Sequence, residues 1–454
     1  MKLEVNKVYS GFIVKHAEYV EEVQSEAYLM EHEKSGARLL YLGNSDDNKV
    51  FSISFRTPPY DDTGVPHILE HSSLCGSRKY HLKEPFVELV KGSMNTFLNA
   101  MTYPDKTMYP VASRNDKDFK NLMDVYLDAV FYPLIYENPY TLMQEGWHYE
   151  LEDEDAPVTI NGVVYNEMKG AFSSPDDVLE RLILNSLFPD TSYANESGGD
   201  PEHIPELTYE QFLDFHRIYY HPSNSYIYLY GDMDMEEKLQ WLDKEYLSAF
   251  EKKEVDSRIA YQEPFGEMVE KRIPYSIASD ESLEDNTYLS YNKVIGTSLD
   301  RELYLAFQIL DYALLSAPGA PLKKALTEAG IGKDIMGSYD NGVYQPIFSV
   351  IAKNANLSQK EEFLQVIQEV LEGLVRDGID RKALEAGINY HEFRYREADF
   401  GGYPKGLMYG LDIMGDWLYG DEKPFAQVQQ LAVFEQLKKS VDEGYFEQLI
   451  RDCL

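Results

Sequence analysis

The stretch Thr63-Gly64-Val65-Pro66-His67-Ile68-Leu69-Glu70-His71-Ser72 decides how this chain is read. On a helix, residues four apart stand one turn from each other on the same face. His67 and His71 can therefore grip one Zn²⁺ from one side, and Glu70 beside them can handle the proton of a metal-bound water. The pattern H-x-x-E-H is the inverted form of the commoner H-E-x-x-H zinc motif. Pro66 suits the first turn of this helix, where no N–H is needed, and Gly76 is placed to end it. Ile68, Leu69 and Leu74 are expected to bury its other side.

A catalytic zinc site needs a third protein ligand and one open position. Downstream candidates are Glu145, His148, Glu150 and Glu167. Glu150 opens the acidic run Glu150–Asp155, read as the solvated end of a hairpin. Glu167 lies in Val163-Val164-Tyr165-Asn166-Glu167-Met168-Lys169-Gly170, a helix of largely apolar pattern, which makes it the stronger ligand candidate. Glu145 and His148 either orient the ligands from behind or form an ordinary surface cluster. Cys75, one turn beyond His71, reads as a small packed residue at the helix end rather than as a ligand.

Around this motif the pattern alternates between strands and helices. Val50–Phe55 alternates as a strand with one buried face. A hairpin is expected before it, Ser25–His32 and Arg38–Leu42, turning at Ser35-Gly36. Strands Thr96–Tyr103 and Thr107–Val111, turning at Pro104-Asp105, come next. They are followed by helices at Asp116–Val130, Gly162–Phe172, Asp177–Leu187 and Thr208–Tyr219, a strand at Ser225–Tyr230 and a helix at Asp234–Phe250. The charged stretch Glu251–Arg258 is the best linker candidate. Beyond it, strands are expected at Met268–Ile273, Asn286–Val294 and Pro346–Ala352. Helices are expected at Leu299–Leu314, Leu322–Ala329, Gln359–Asp377 and Arg381–Tyr395. The similar order of elements implies an α+β chain of two similar domains, 1–250 with the metal site and 259–454 without one. Each would be a mainly antiparallel sheet with helices packed on one face.

The 454 residues allow two or three domains with ample core. A net charge of −36 argues against phosphate-neutralising contacts with nucleic acid. No apolar run approaches the length of a membrane span. Only two cysteines occur, Cys75 and Cys453, which fits a reducing compartment. The N-terminal Met1–Lys7 has neither a signal core nor a basic transit pattern, so a cytoplasmic location is expected. The glycine loop of a phosphate-binding site is missing as well.

Longer stretches carry a resemblance. Phe55–Pro59, Thr63–Ser72, Leu74–Tyr80, Lys83–Leu89, Thr96–Asp105 and Gly162–Gly170 together resemble the N-terminal half of a presequence-protease-type zinc peptidase of the pitrilysin and insulin-degrading superfamily. A weaker likeness runs through Gly402–Leu407. The resemblance implies that His67, His71 and Glu167 bind zinc and that Glu70 is the general base. The long interval from His71 to Glu167 suits the presequence-protease branch. The other branches place the carboxylate nearer, in the neighbourhood that here holds His148. The resemblance further implies metallohydrolase-type units in pairs, two bowls enclosing a chamber, and entry of unstructured peptides. A substrate-binding edge strand would fall at Leu98-Asn99-Ala100-Met101-Thr102.

In such proteins a second half supplies an arginine and a tyrosine that hold the substrate, and nothing in this chain maps to them. Two functions therefore stand side by side. One is a zinc-dependent endopeptidase acting on unstructured peptides as half of a two-half chamber. The other is a zinc-loaded peptide-binding half, inactive until a C-terminal partner half or a second copy joins it. A small-molecule hydrolase or lyase using the same motif would leave the long match through Glu167 unexplained.

Overall fold

The computed structural model describes residues 2–82 and 85–454; Lys83 and Glu84 of the matching stretch lie outside them. The chain divides into two units. The first runs to Arg272 and takes in Phe400–Met414; the second comprises Ile273–Asp399 and Gly415–Leu454.

The first unit begins with β1 (Val8–Tyr9), β2 (Phe12–Val20), β3 (Ser25–His32), β4 (Arg38–Gly43), β5 (Lys49–Arg56), α1 (Val65–Ser73) and α2 (Pro85–Gly92). It continues with β6 (Asn95–Leu98), β7 (Met101–Thr102), β8 (Lys106–Ser113), α3 (Asp116–Phe131), α4 (Tyr140–Glu145), β9 (His148–Glu150) and β10 (Thr159–Asn161). Then come α5 (Val163–Ala171), α6 (Pro175–Leu187), α7 (Tyr209–Tyr219), β11 (Ser225–Gly231) and α8 (Met235–Glu245). The second unit is built from β12 (Thr287–Val294), α9 (Arg301–Asp311), α10 (Pro321–Glu328), β13 (Asp334–Asp340), β14 (Ile347–Ala355), α11 (Lys360–Asp377) and α12 (Arg381–Glu397). After these follow α13 (Lys405–Trp417), whose Lys405–Met414 belong to the first unit, α14 (Leu431–Ser440) and α15 (Tyr445–Cys453).

The large sheet has the order β1-β2-β3-β4-β11-β5-β8-β6, with β7 also on β8. The late strand β11 enters between β4 and β5, parallel to the first and antiparallel to the second; the other pairs are antiparallel. Burial explains this central place. Every residue of β11 is shielded from water. Ile227 and Leu229 join Phe51, Ile53 and Phe55 of β5 in a core with Ile68 and Leu69 of α1, Leu122 and Tyr126 of α3, and Phe212 and Phe215 of α7. Tyr228 and Tyr230 serve the opposite face, where α13 rests on them. A Cβ on Gly406 would lie 2.1 Å from Tyr230 Cδ1, and one on Gly410 2.6 Å from Tyr228 Cε1. Two glycines one turn apart thus let the helix lie against the rings, and Tyr228 Oη donates to the Gly406 carbonyl at 2.9 Å. The second unit has a smaller antiparallel sheet, β12-β14-β13, backed by a core that includes Leu305, Phe307, Leu310, Phe348 and Val350. The architecture is α+β with antiparallel sheets. No helix among the described residues is long and apolar enough to cross a membrane.

Several sequence expectations differ from what the structure shows. Glu251–Arg258 is no boundary: Lys252 N donates to Lys34 O at 2.6 Å and Ser257 Oγ to Asn224 Oδ1 at 2.6 Å, which stitches it to the first unit. Met268–Ile273 forms no strand. Met268, Val269 and Ile273 are exposed, and the segment pairs with none of the described strands. Val50–Phe55 is buried on both faces, because Ser52 and Ser54 are covered as fully as Phe51 and Ile53. Thr96–Tyr103 is two short strands, since the chain breaks at Asn99-Ala100.

His216 on α7 ties this helix to α3. It is buried, with Nε2 donating to Val130 O at 2.9 Å and Nδ1 accepting from Tyr136 Oη at 2.7 Å. Burial pushes its pKa down to about 4, against an unfolded value of about 6.5. The neutral ring therefore contributes stability above about pH 6.5 that is lost as the pH falls toward 4. Thermal midpoints measured across that window are expected to drop steeply for the wild type and less steeply for His216→Gln; equal slopes would show that His216 is not the sensitive group.

Candidate metal centre

Helix α1 starts at Gly64, whose φ of 68° places the backbone in the left-handed region, with Pro66 in its first turn. Val65, Ile68 and Leu69 are fully buried in the core, so the helix cannot roll. This fixes the directions of the remaining side chains. His67 and His71 stand side by side, with ring centroids 5.0 Å apart. Helix α5 is anchored in the same way by buried Val164 and Met168, four apart, which turns Glu167 toward the two rings. Glu167 Oε2 lies 3.7 Å from His67 Nε2 and 3.8 Å from His71 Nε2. One ligand atom from each of the three falls within 4.8 Å of the others, the one such cluster among the described residues.

The donor chemistry fits zinc. Bonds of about 2.0–2.1 Å in a tetrahedral set put neighbouring donors about 3.4 Å apart, and the two spacings to Glu167 exceed this by only a few tenths of an ångström. The rear nitrogens are held as a metal site requires. His67 Nδ1 hydrogen-bonds the Gly198 carbonyl at 3.1 Å, and His71 Nδ1 faces Glu145 Oε2 at 3.4 Å. Each partner leaves Nε2 to point inward. Burial alone would lower the pKa of His71, but the bond to Glu145 and the charges of Glu70, Glu145 and Glu167 raise it. Glu145 is buried, which would raise its pKa, yet hydrogen bonds from His71 and Gln144 hold it below the usual carboxylate range. Glu167 is the exposed member, its side chain 55% accessible against 11% for His67 and 25% for His71.

Glu70 lies on the buried side of α1, and Thr102 Oγ1 donates to its Oε2 at 2.7 Å. Thr102 belongs to β7, so the expected substrate strand touches the expected base. Leu98 pairs with Val111, Met101 with Met108 and Thr102 with Thr107. Asn99 N donates to Pro110 O at 3.3 Å, while the Asn99 carbonyl accepts from Tyr126 Oη at 3.2 Å. Ala100 completes the break. β6 ends the path of the sheet, which leaves Leu98–Thr102 along an edge.

Of the other ligand candidates, Glu145 reaches His71 but His148 and Glu150 do not reach the rings. His148 Nδ1 bonds the Met143 carbonyl at 2.6 Å, and Glu150 accepts from Asn161 Nδ2 at 2.6 Å across the β9–β10 hairpin. Cys75 Sγ sits 3.5 Å from both the His71 carbonyl and Glu145 Oε1, behind the donors rather than among them. Two contributors escaped sequence reasoning. Gly198 acts through its carbonyl, which no side-chain pattern reveals. The Thr102 hydroxyl serves Glu70, whereas the sequence marked Thr102 only as part of an edge.

Two family models match most of this chain: insulinase, peptidase family M16, over residues 56–196, and the peptidase M16 inactive domain over residues 206–390. The chain belongs to peptidase family M16. It is 54% identical over 450 residues to protein HypA of Clostridium perfringens, covering 99% of this chain and 46% of that protein. It is 44% identical over 437 residues to presequence protease 1, chloroplastic/mitochondrial, of Arabidopsis thaliana, covering 95% of this chain and 40% of that one. The chain thus spans less than half the length of these curated relatives. A solved protease from Helicobacter pylori shares the fold with a TM-score of 0.64 at 14% identity, over 94% of this chain and 96% of its own.

Replacing Glu145 by Gln removes the carboxylate behind His71 and is expected to weaken zinc binding about 10- to 100-fold. Competition with a chromophoric chelator measures this; an unchanged affinity would make Glu145 a bystander.

Proposed function

We propose that this chain is the metal-binding half of a zinc endopeptidase that cuts unstructured peptides. The observation that carries the reading is the convergence of His67, His71 and Glu167, with Glu70 on the same helix turn and a sheet edge beside it. Membership of peptidase family M16 supports it.

When bound, zinc supplies Lewis acidity, polarising the scissile carbonyl and making water a better nucleophile at neutral pH. His67, His71 and Glu167 would hold it. An extended peptide adds to the edge formed by Leu98–Thr102 through backbone hydrogen bonds, which tolerates many sequences and demands an unfolded substrate. This edge runs past Glu70 because Thr102 does. The Glu70 carboxylate takes a proton from the attacking water and returns it to the departing amine nitrogen. The Thr102 hydroxyl holds the carboxylate in the rotamer that does this.

A second reading is favoured by one observation: the chain covers only 46% and 40% of two relatives. On that reading it captures peptides and cuts them only with a partner half. Digestion of an unstructured fluorogenic peptide by the zinc-loaded chain separates the two. Turnover by the chain alone removes the second reading. Turnover that appears only after a C-terminal half is added supports it. In whichever preparation cuts, Glu70→Gln is expected to lower turnover by at least 100-fold with zinc content unchanged. Wild-type turnover by that variant would remove Glu70 from the mechanism.

A further inference from the structure

The segment Asn195–Asp200 is laced to the loop that leads into α1. Asn195 Nδ2 donates to Pro59 O at 3.2 Å, Glu196 N to Asp62 Oδ1 at 2.8 Å and Asp200 N to Asp62 O at 2.9 Å. The two backbones pass so closely that a Cβ on Gly64 would lie 2.5 Å from Gly199 Cα. Gly198, between these ties, presents its carbonyl to His67 Nδ1. Its other side lies against Met168, the neighbour of Glu167, whose Cε would be 2.8 Å from a Cβ there. One residue, Gly198, therefore sets the position of a metal-binding ring and abuts the helix that carries the carboxylate ligand.

On its N–H side Gly198 is held by one member of an ion pair. Glu196 Oε1 accepts from Gly198 N at 2.9 Å and sits 2.7 Å from Arg181 Nη1 on α6. Both side chains are largely buried, 23% and 15% accessible, so water screens the pair less than it would at the surface. Arg181 Cζ also lies 5.0 Å over the Phe172 ring, which restricts the guanidinium further. The chain of contacts runs from Arg181 through Glu196 and then the N–H and carbonyl of Gly198 to His67 Nδ1.

We propose that Arg181 and Glu196 are positioning residues for His67, setting zinc affinity without touching the ligand atoms. This rests on the reading of His67, His71 and Glu167 as the ligand set. The Gly198 carbonyl selects the tautomer that keeps the proton on Nδ1 and leaves Nε2 open. When the ion pair is broken, the Gly198 N–H loses its fixed acceptor, the Gly198 carbonyl is no longer held in place, and the ring loses its orientation.

The test is zinc titration of the full metal-free chain against a chromophoric chelator. Arg181→Ala is expected to weaken zinc binding about 10- to 100-fold, and Arg181→Lys to recover part of the loss. Glu196→Gln keeps an acceptor for Gly198 N but removes the charge; it is expected to show a smaller loss of the same kind. It also carries the test if Arg181→Ala does not fold. A purely structural role would lower the thermal midpoint of the metal-free chain in proportion, and the positioning role would not. A double-variant comparison is sharper. In a His67→Ala background Arg181→Ala should cost no further affinity, whereas in a His71→Ala background its cost should persist. Equal costs in both backgrounds, or wild-type affinity in Arg181→Ala, overturn the positioning role while leaving the ligand set standing. Zinc binding that survives both His67→Ala and Glu167→Gln without loss overturns the ligand set itself, and the positioning role with it.

Discussion

The immobility of one short helix is the constraint on which the rest depends. Val65, Ile68 and Leu69 lock α1 into the core beside the large sheet. With its roll fixed, His67 and His71 have one direction to face and Glu70 another. A mobile helix would spread two imidazoles over many rotamers and lose the affinity that a preset pair provides. The supports around it follow from the same need. Gly198 and Glu145 hold the rear nitrogens, Thr102 holds the carboxylate of Glu70, and Val164 and Met168 aim α5.

The arrangement also separates the roles of three carboxylates by environment. Glu145 is buried and paired, suited to steadying a ring rather than reaching a substrate. Glu70 is buried but bonded by a neutral hydroxyl. Glu167 is the exposed one, at the mouth of the site. An exposed donor beside a sheet edge suits chemistry on an extended chain, which can enter by backbone pairing where a folded protein cannot.

Much of this was legible in the sequence, for local reasons. The i, i+4 spacing of His67 and His71 depends on helix geometry alone, and Pro66 marks the first turn of the helix. The hairpin of β3 and β4 and the helices α3, α7 and α11 also carried their periodicity openly. What stayed hidden depends on distant pairing. Nothing in Ser225–Gly231 says that it will slip between β4 and β5. The alternation of Val50–Phe55 implied a wet face because serines read as polar; in the sheet centre they are covered. The return of Phe400–Met414 to the first unit rests on two glycines meeting two tyrosines. Met268–Ile273 had strand composition without a neighbour to pair with. In the site, side-chain donors could be read from residue type, whereas a backbone carbonyl from Gly198 could not.

On the proposed reading, His67, His71 and Glu167 together hold one zinc ion. X-ray absorption at the zinc edge, on the chain loaded with one equivalent of zinc, tests it most directly. Nitrogen and oxygen donors are expected at about 2.0–2.1 Å, with the outer-shell signature of two imidazoles that falls to one in His67→Ala. A sulfur donor at about 2.3 Å, or a shell without imidazole, would contradict it.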